Sequence, residues 1–201
     1  MLIRWTKHLA RCILRLVFRF ETNGDLRNTK GPYILCANHR SNWDALAMHA
    51  IAPENTYIVG KKELSDLPII GAFLRRIQLI PIDREANDIG ALRRMLAVLK
   101  DGAVLGIFPE GHRYADADLS HMKEGIAYLV QKAKVPVYCL YLDSDYRFRH
   151  RFQVTIRPML SIEELSGYSS RAERKEMLRL IYQTIYGLSL EGDEVDAHSN
   201  C

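Results

Sequence analysis

From residue 31 onward the chain alternates short apolar runs with longer stretches whose apolar residues return every three or four positions. The runs Tyr33–Ala37, Tyr57–Gly60, Leu79–Ile82, Val104–Phe108, Val137–Leu142 and Phe152–Arg157 have strand length and are bounded by turn residues. The helical-period stretches are Asp44–Ile51, Pro68–Arg76, Ile89–Lys100, Lys123–Lys132 and Ser170–Tyr186. Strands alternating with helices predict an α/β fold, a single domain over residues 31–190 with a largely parallel or mixed central sheet flanked by helices. The turn near Asp143–Asp145 leaves the last strand open to antiparallel pairing.

The first twenty residues follow another pattern. A cation interrupts every apolar run, so no stretch reaches the roughly 20 apolar residues of a membrane span. Nor is there the unbroken apolar core and small-residue cleavage site of a secretory leader. At about 100° per residue, Arg4, Lys7, His8, Arg11, Arg15 and Arg19 share one arc of a helix, and Leu2, Ile3, Leu9, Ile13, Leu14, Leu16, Val17 and Phe20 cover the rest. A wide apolar face beside a cationic stripe suits a helix lying in a membrane interface; an ordinary helix packed on the domain, with its cations in water, is the plainer alternative. The polar, turn-rich segment 21–30 reads as a linker, and residues 191–201 as an acidic, solvated tail.

Charge and composition narrow the function. The net charge is +4, but residues 1–20 contribute +5 and residues 191–201 contribute −4, leaving a nearly balanced body. That distribution argues against a nucleic-acid partner. The four cysteines, Cys12, Cys36, Cys139 and Cys201, have neither zinc-ligand nor disulfide-scaffold spacing, which points to a reducing, cytosol-facing compartment and no structural metal.

Three clusters carry chemistry, each directly after a predicted strand, where open α/β sheets place their sites. The first is Asn38-His39-Arg40-Ser41-Asn42-Trp43-Asp44. In a continuous helix, positions 39 and 44 diverge by about 140°. The two side chains therefore meet only if His39 lies in the turn and Asp44 in the first helical turn. The carboxylate then holds Nδ1–H and leaves Nε2 as a base. The plainer alternative is a helix-capping Asp beside a core His. The second cluster, Lys61-Lys62-Glu63-Leu64 and Ile80-Pro81-Ile82-Asp83-Arg84, offers Arg84 as a phosphate ligand or as a surface ion-pair partner of Asp83 or Glu85. The third, Phe108-Pro109-Glu110-Gly111-His112-Arg113, places Gly111 where the backbone must turn, with Glu110 and Arg113 available to a polar, phosphorylated substrate. The run Val135-Pro136-Val137 leads into a wall strand.

Taken in order, these blocks resemble the signatures of the glycerolipid acyltransferase family, most closely its short bacterial 1-acyl-glycerol-3-phosphate acyltransferases. NHRSNWD stands for the family's NHxxxxD, KKEL and IPIDR for its second block, FPEGHR for FPEGTR, and VPVYCLYL for its fourth. The resemblance covers roughly residues 30–160. It departs at His112, where the family usually carries Thr. It implies acyl transfer from acyl-CoA or acyl carrier protein to the sn-2 hydroxyl of lysophosphatidic acid, giving phosphatidic acid in phospholipid biosynthesis. His39 and Asp44 are then the implied catalytic pair, and Arg84, Glu110, Gly111 and Arg113 the implied substrate-binding residues. No cofactor and no metal are implied. The implied location is the cytoplasmic face of the cell membrane, held peripherally by the head helix.

Other readings have less support. No GxSxG elbow is present for a lipid hydrolase, and no HExxH accompanies His39, Asp44 and His49 for a metallohydrolase. His121 reads as a surface residue. A different lysophospholipid acceptor, and a non-catalytic lipid-binding protein, remain as alternatives; the second has no use for the His39–Asp44 pair.

Overall fold

The computed structural model describes residues 2–63, 78–83 and 88–188. The predicted helix Pro68–Arg76, Arg84 and the acidic tail lie outside the described residues. Helix α1 (Leu2–Val17) leads into strand β1 (Arg19–Thr22), followed by β2 (Tyr33–Ala37), α2 (Asn42–Ile51), β3 (Thr56–Lys61) and β4 (Leu79–Ile82). Next come α3 (Ile89–Lys100), β5 (Val104–Ile107), a short 3-10 turn (Leu119–His121) and α4 (Glu124–Ala133). The chain continues through β6 (Val137–Ser144), β7 (Arg151–Ile156), α5 (Ile162–Ser166) and α6 (Arg174–Tyr186).

The seven strands form one sheet in the order β1-β7-β6-β2-β5-β3-β4. Pairs β6–β2, β2–β5, β5–β3 and β3–β4 are parallel. β7 returns antiparallel to β6 with Leu142 opposite Val154, and β1 closes that edge parallel to β7. A short loop suffices for an antiparallel return, whereas each parallel pair needs a crossover.

β2 is buried along its whole length, as a central parallel strand flanked by helices on both faces must be. Alternation sends Ile34 and Cys36 into the core under α3, α4 and α6, and Tyr33, Leu35 and Ala37 into the core under α1 and α2. Two helical layers thus sandwich the sheet.

At the head of the chain α1 is packed on the domain, the plainer of the two alternatives, and residues 19–22 form an edge strand where the polar segment begins. Ala10, Leu14 and Phe18 are buried in the same core as α2. Burying the two larger side chains contributes about 1.5–3 kcal/mol apiece, enough to outweigh a solvent-exposed alternative. Lys7 donates to His49 O at 2.9 Å, and Arg11 donates to Ala50 O. The two cations thereby occupy the otherwise unpaired carbonyls ending α2. Part of the cationic arc is therefore structural. α1 still carries an unburied apolar ridge of Leu2, Trp5, Leu9 and Leu16, so it has three sectors: core-facing, cationic and exposed apolar.

Candidate active site

The turn after β2 is tied to the sheet by Asn38. Its amide copies a strand's backbone pair, donating to Leu142 O at 2.9 Å and accepting from Leu142 N at 2.7 Å. α2 then starts at Ser41, an N-cap in extended conformation, with Asp44 at the third helical position of a capping box. Asp44 Oδ2 accepts the backbone N–H groups of Arg40 and Ser41, each at 2.7 Å. Capping turns this oxygen back over the turn, where it meets His39 Nδ1 at 3.1 Å. The condition set by the five-residue spacing is met, and the capping role and the His-holding role belong to the same carboxylate.

Asp44 is completely buried, so its charge must be neutralised by donors. Three of them serve Oδ2. The fourth is the hydroxyl of Tyr146, which donates to Oδ1 at 2.8 Å. Burial and the neighbouring carboxylate raise the Tyr146 phenol well above its ordinary pKa, so it remains a donor. The His39 ring stacks on Phe108, with centroids 4.1 Å apart and planes 19° from parallel. With Nδ1 committed to Asp44, Nε2 has no partner among the described residues.

Glu110 does not stand free for substrate hydroxyls, as the spacing suggested. It is buried, Oε2 accepts from the backbone N of His39 at 3.0 Å, and Oε1 accepts from the Tyr186 hydroxyl at 2.8 Å. Burial raises its pKa above the ordinary carboxylate value, and these two donors offset only part of the rise. Through Oε2 it holds the His39 turn by its backbone, in addition to the bonds that Asp44 makes there. Gly111 turns the chain at φ +71°, where an L side chain is strained. Tyr114 N then donates to His39 O at 2.9 Å, drawing the third block against the first. Arg113 is exposed and donates to Asn42 Oδ1 at 2.9 Å, placing its guanidinium at the start of α2. His39, Asp44, Glu110, Gly111 and Arg113 therefore come together.

Other polar residues are accounted for elsewhere. His49, at the far end of α2, lies 3.1 Å from Thr6 Oγ1; burial and the Lys7 cation lower its pKa to about 3, leaving it neutral. It takes no part in the dyad. His121 stacks on Tyr114 and bonds Asp116, while Asp118 caps the short turn. His112 is exposed, edge-on to Tyr114.

The acyltransferase family model matches residues 19–143, more than half of the chain, and spans every block of this site. The chain belongs to the acyltransferase family. Among its relatives, the 1-acyl-sn-glycerol-3-phosphate acyltransferase of Saccharomyces cerevisiae is 30% identical over 138 residues, covering 64% of this chain and 46% of the yeast protein. The enzyme of that name from Streptococcus pneumoniae is 33% identical over 138 residues, covering 65% of this chain and 51% of its own. The chain thus spans about half the length of these relatives. The crystal structure of the 1-acyl-sn-glycerophosphate acyltransferase of Thermotoga maritima superposes with a TM-score of 0.71 at 20% identity, covering 96% of this chain and 81% of that one. The likeness is one of fold and takes in nearly the whole of this chain. Tyr146 and Tyr186, which hold Asp44 and Glu110, lie beyond the matched residues. No periodicity singles them out: one follows a turn, and the other ends an amphipathic helix.

Proposed function

We propose that this acyltransferase transfers the acyl group of acyl-CoA or acyl carrier protein to the sn-2 hydroxyl of 1-acyl-glycerol-3-phosphate, forming phosphatidic acid. The observation that carries the reading is the buried Asp44 carboxylate on His39 Nδ1, which leaves Nε2 without a partner among the described residues. Nε2 takes the acceptor's hydroxyl proton as the oxygen attacks the thioester carbonyl. The tetrahedral intermediate collapses with loss of thiolate, and the imidazolium returns its proton to that sulfur. Asp44 keeps the ring in the required tautomer and stabilises its cationic form. Ester and thiol replace thioester and alcohol, so the reaction balances without a metal or redox cofactor. Arg113 at the start of α2 is our assignment for the acceptor phosphate, with Arg84 as its partner by sequence. Glu110 and Gly111 serve by shaping the turn that holds His39.

We place the protein peripherally on the cytoplasmic face of the membrane. No helix among the described residues is long and apolar enough to cross a bilayer. α1 offers instead an exposed ridge in which Trp5 is 66% and Leu16 68% accessible, flanked by cations. The buried thiols of Cys36 and Cys139 suit a reducing compartment. The test is release of free CoA from acyl-CoA, or of thiol from acyl carrier protein, by the purified chain. Release that depends on lysophosphatidic acid supports the reading; release without acceptor makes it a thioesterase, and release with another lysophospholipid alone moves the acceptor.

A further inference from the structure

Three arginines, Arg15, Arg19 and Arg149, line one concavity of about 350 Å³ with Phe18, Phe20 and Glu21. None of the three guanidiniums has a side-chain partner among the described residues. The nearby acids are already engaged: Glu21 accepts from Arg151 at 3.2 Å, and Asp145 accepts from His150 Nδ1 at 2.8 Å. Backbone bonds hold the cluster together, since Arg149 N donates to Val17 O at 2.6 Å and Arg19 N to His150 O at 2.8 Å. The β6–β7 loop is thereby laced to the last turn of α1. Two exposed apolar side chains, Leu16 and Phe148, sit one residue from this junction, and no large apolar side chain among the described residues is more exposed than Phe148, at 70%. Unpaired like charges in one concavity repel each other until an anion neutralises them, and forked guanidinium donors match phosphate oxygens. An apolar side chain standing out beside them suits an anion that lies at the edge of an apolar layer.

We propose that this concavity seats the phosphate of an anionic phospholipid of the bilayer, with Phe148 and Leu16 entering the acyl layer beside it. The proposal rests on the membrane reading above and adds to it a phosphate site at the Leu16 end of the α1 ridge. It also gives bilayer contact a route to the dyad, because the same loop carries Tyr146, the donor to Asp44 Oδ1.

The experiment measures binding of the full chain to vesicles of phosphatidylcholine, with and without one-third phosphatidylglycerol. It compares the parent with the triple variant Arg15→Gln, Arg19→Gln, Arg149→Gln and with Phe148→Ser; circular dichroism checks the fold, and the single variant Arg15→Gln replaces the triple should that misfold. The triple variant is expected to lose about a hundredfold in affinity for the anionic vesicles, the single about fivefold, with neutral binding little changed. Phe148→Ser weakens binding to both. A parent that binds neither vesicle overturns the membrane reading and this site with it. A parent that binds, with arginine variants that bind anionic vesicles equally well, overturns this site alone. Saturable binding of inorganic phosphate that the variants lose, at unchanged vesicle affinity, assigns the concavity to a soluble phosphate compound. Loss of turnover with acyl carrier protein alone, again at unchanged vesicle affinity, assigns it to a protein partner; either result overturns the lipid assignment.

Discussion

The Tyr146 hydroxyl donates to Asp44 Oδ1 at 2.8 Å, on the side of the carboxylate away from His39. Tyr146 is itself held, in a left-handed conformation, by its backbone N–H donating to Ser144 Oγ. Tyr146→Phe removes a bond to a buried charge, of a kind worth about 1.5–3 kcal/mol. We expect kcat to fall about tenfold or more with the Michaelis constants little changed. An unchanged kcat in the folded variant would reduce Tyr146 to a packing residue.

His39→Ala and Asp44→Asn should each lower turnover by about 10²–10⁴ while thermal unfolding stays cooperative. Their double variant should lose little more than either one, because the residues act as a unit. Asp44→Asn also weakens the α2 cap, so its melting temperature should fall by a few degrees while that of His39→Ala changes less. Steady-state kinetics beside calorimetry separates the two effects. Near-normal turnover in a folded His39→Ala protein would sink the mechanism.

Arg113→Ala should raise the Michaelis constant for lysophosphatidic acid by about tenfold or more, as expected on losing a charge-assisted contact, and leave that for the acyl donor nearly unchanged. Equal effects on both substrates would move the phosphate site elsewhere.

Lys7 provides a pH test of how α1 is docked. Burial lowers its pKa from 10.5 to about 8, against the pull of Glu54. The unfolded chain therefore binds more protons at this residue between about pH 8 and 10.5. Folding stability gains from Lys7 as pH rises through that window, and its cost is fully present below pH 8. Melting temperatures across the window should rise for the parent relative to Lys7→Met. Parallel curves would mean that Lys7 is solvated and α1 loosely attached.

The exposed ridge of α1 should be separable from its packed side. Trp5→Ser, Leu9→Ser and Leu16→Ser together touch none of the buried residues Ala10, Leu14 and Phe18. The triple variant should fold normally, detach from vesicles and keep its activity on short-chain, water-soluble substrates. Deleting residues 1–20 is a poorer test, since it opens the core under α2 and removes half of β1. Full cosedimentation of the serine variant would show that the ridge is not the anchor.

The limits of several elements were legible from pattern alone. β2, β4 and α3 match the predicted runs residue for residue, because an apolar run between turn residues can bury itself in few ways. The first and third motif blocks contain His39, Asp44, Glu110 and Arg113, which the fold brings side by side. β1 escaped because a four-residue edge strand needs no apolar alternation; three of its residues are exposed.

The sequence by itself determined that an α/β domain would carry a histidine and an aspartate after its first central strand, in a spacing that permits contact. It determined too that the head would be a cationic amphipathic helix. Tertiary structure alone decided what each group faces. Glu110 became a support for the His39 turn because the sheet buries it and Tyr186, 76 residues away, reaches its oxygen. The same holds for Tyr146 on Asp44, for Lys7 on the end of α2, and for three arginines gathered from a helix, a strand and a loop. Local pattern encodes which residues lie on one face. A hydrogen bond across some hundred residues depends on strand order and on which face each crossover takes, and those are set by the packing of the whole chain.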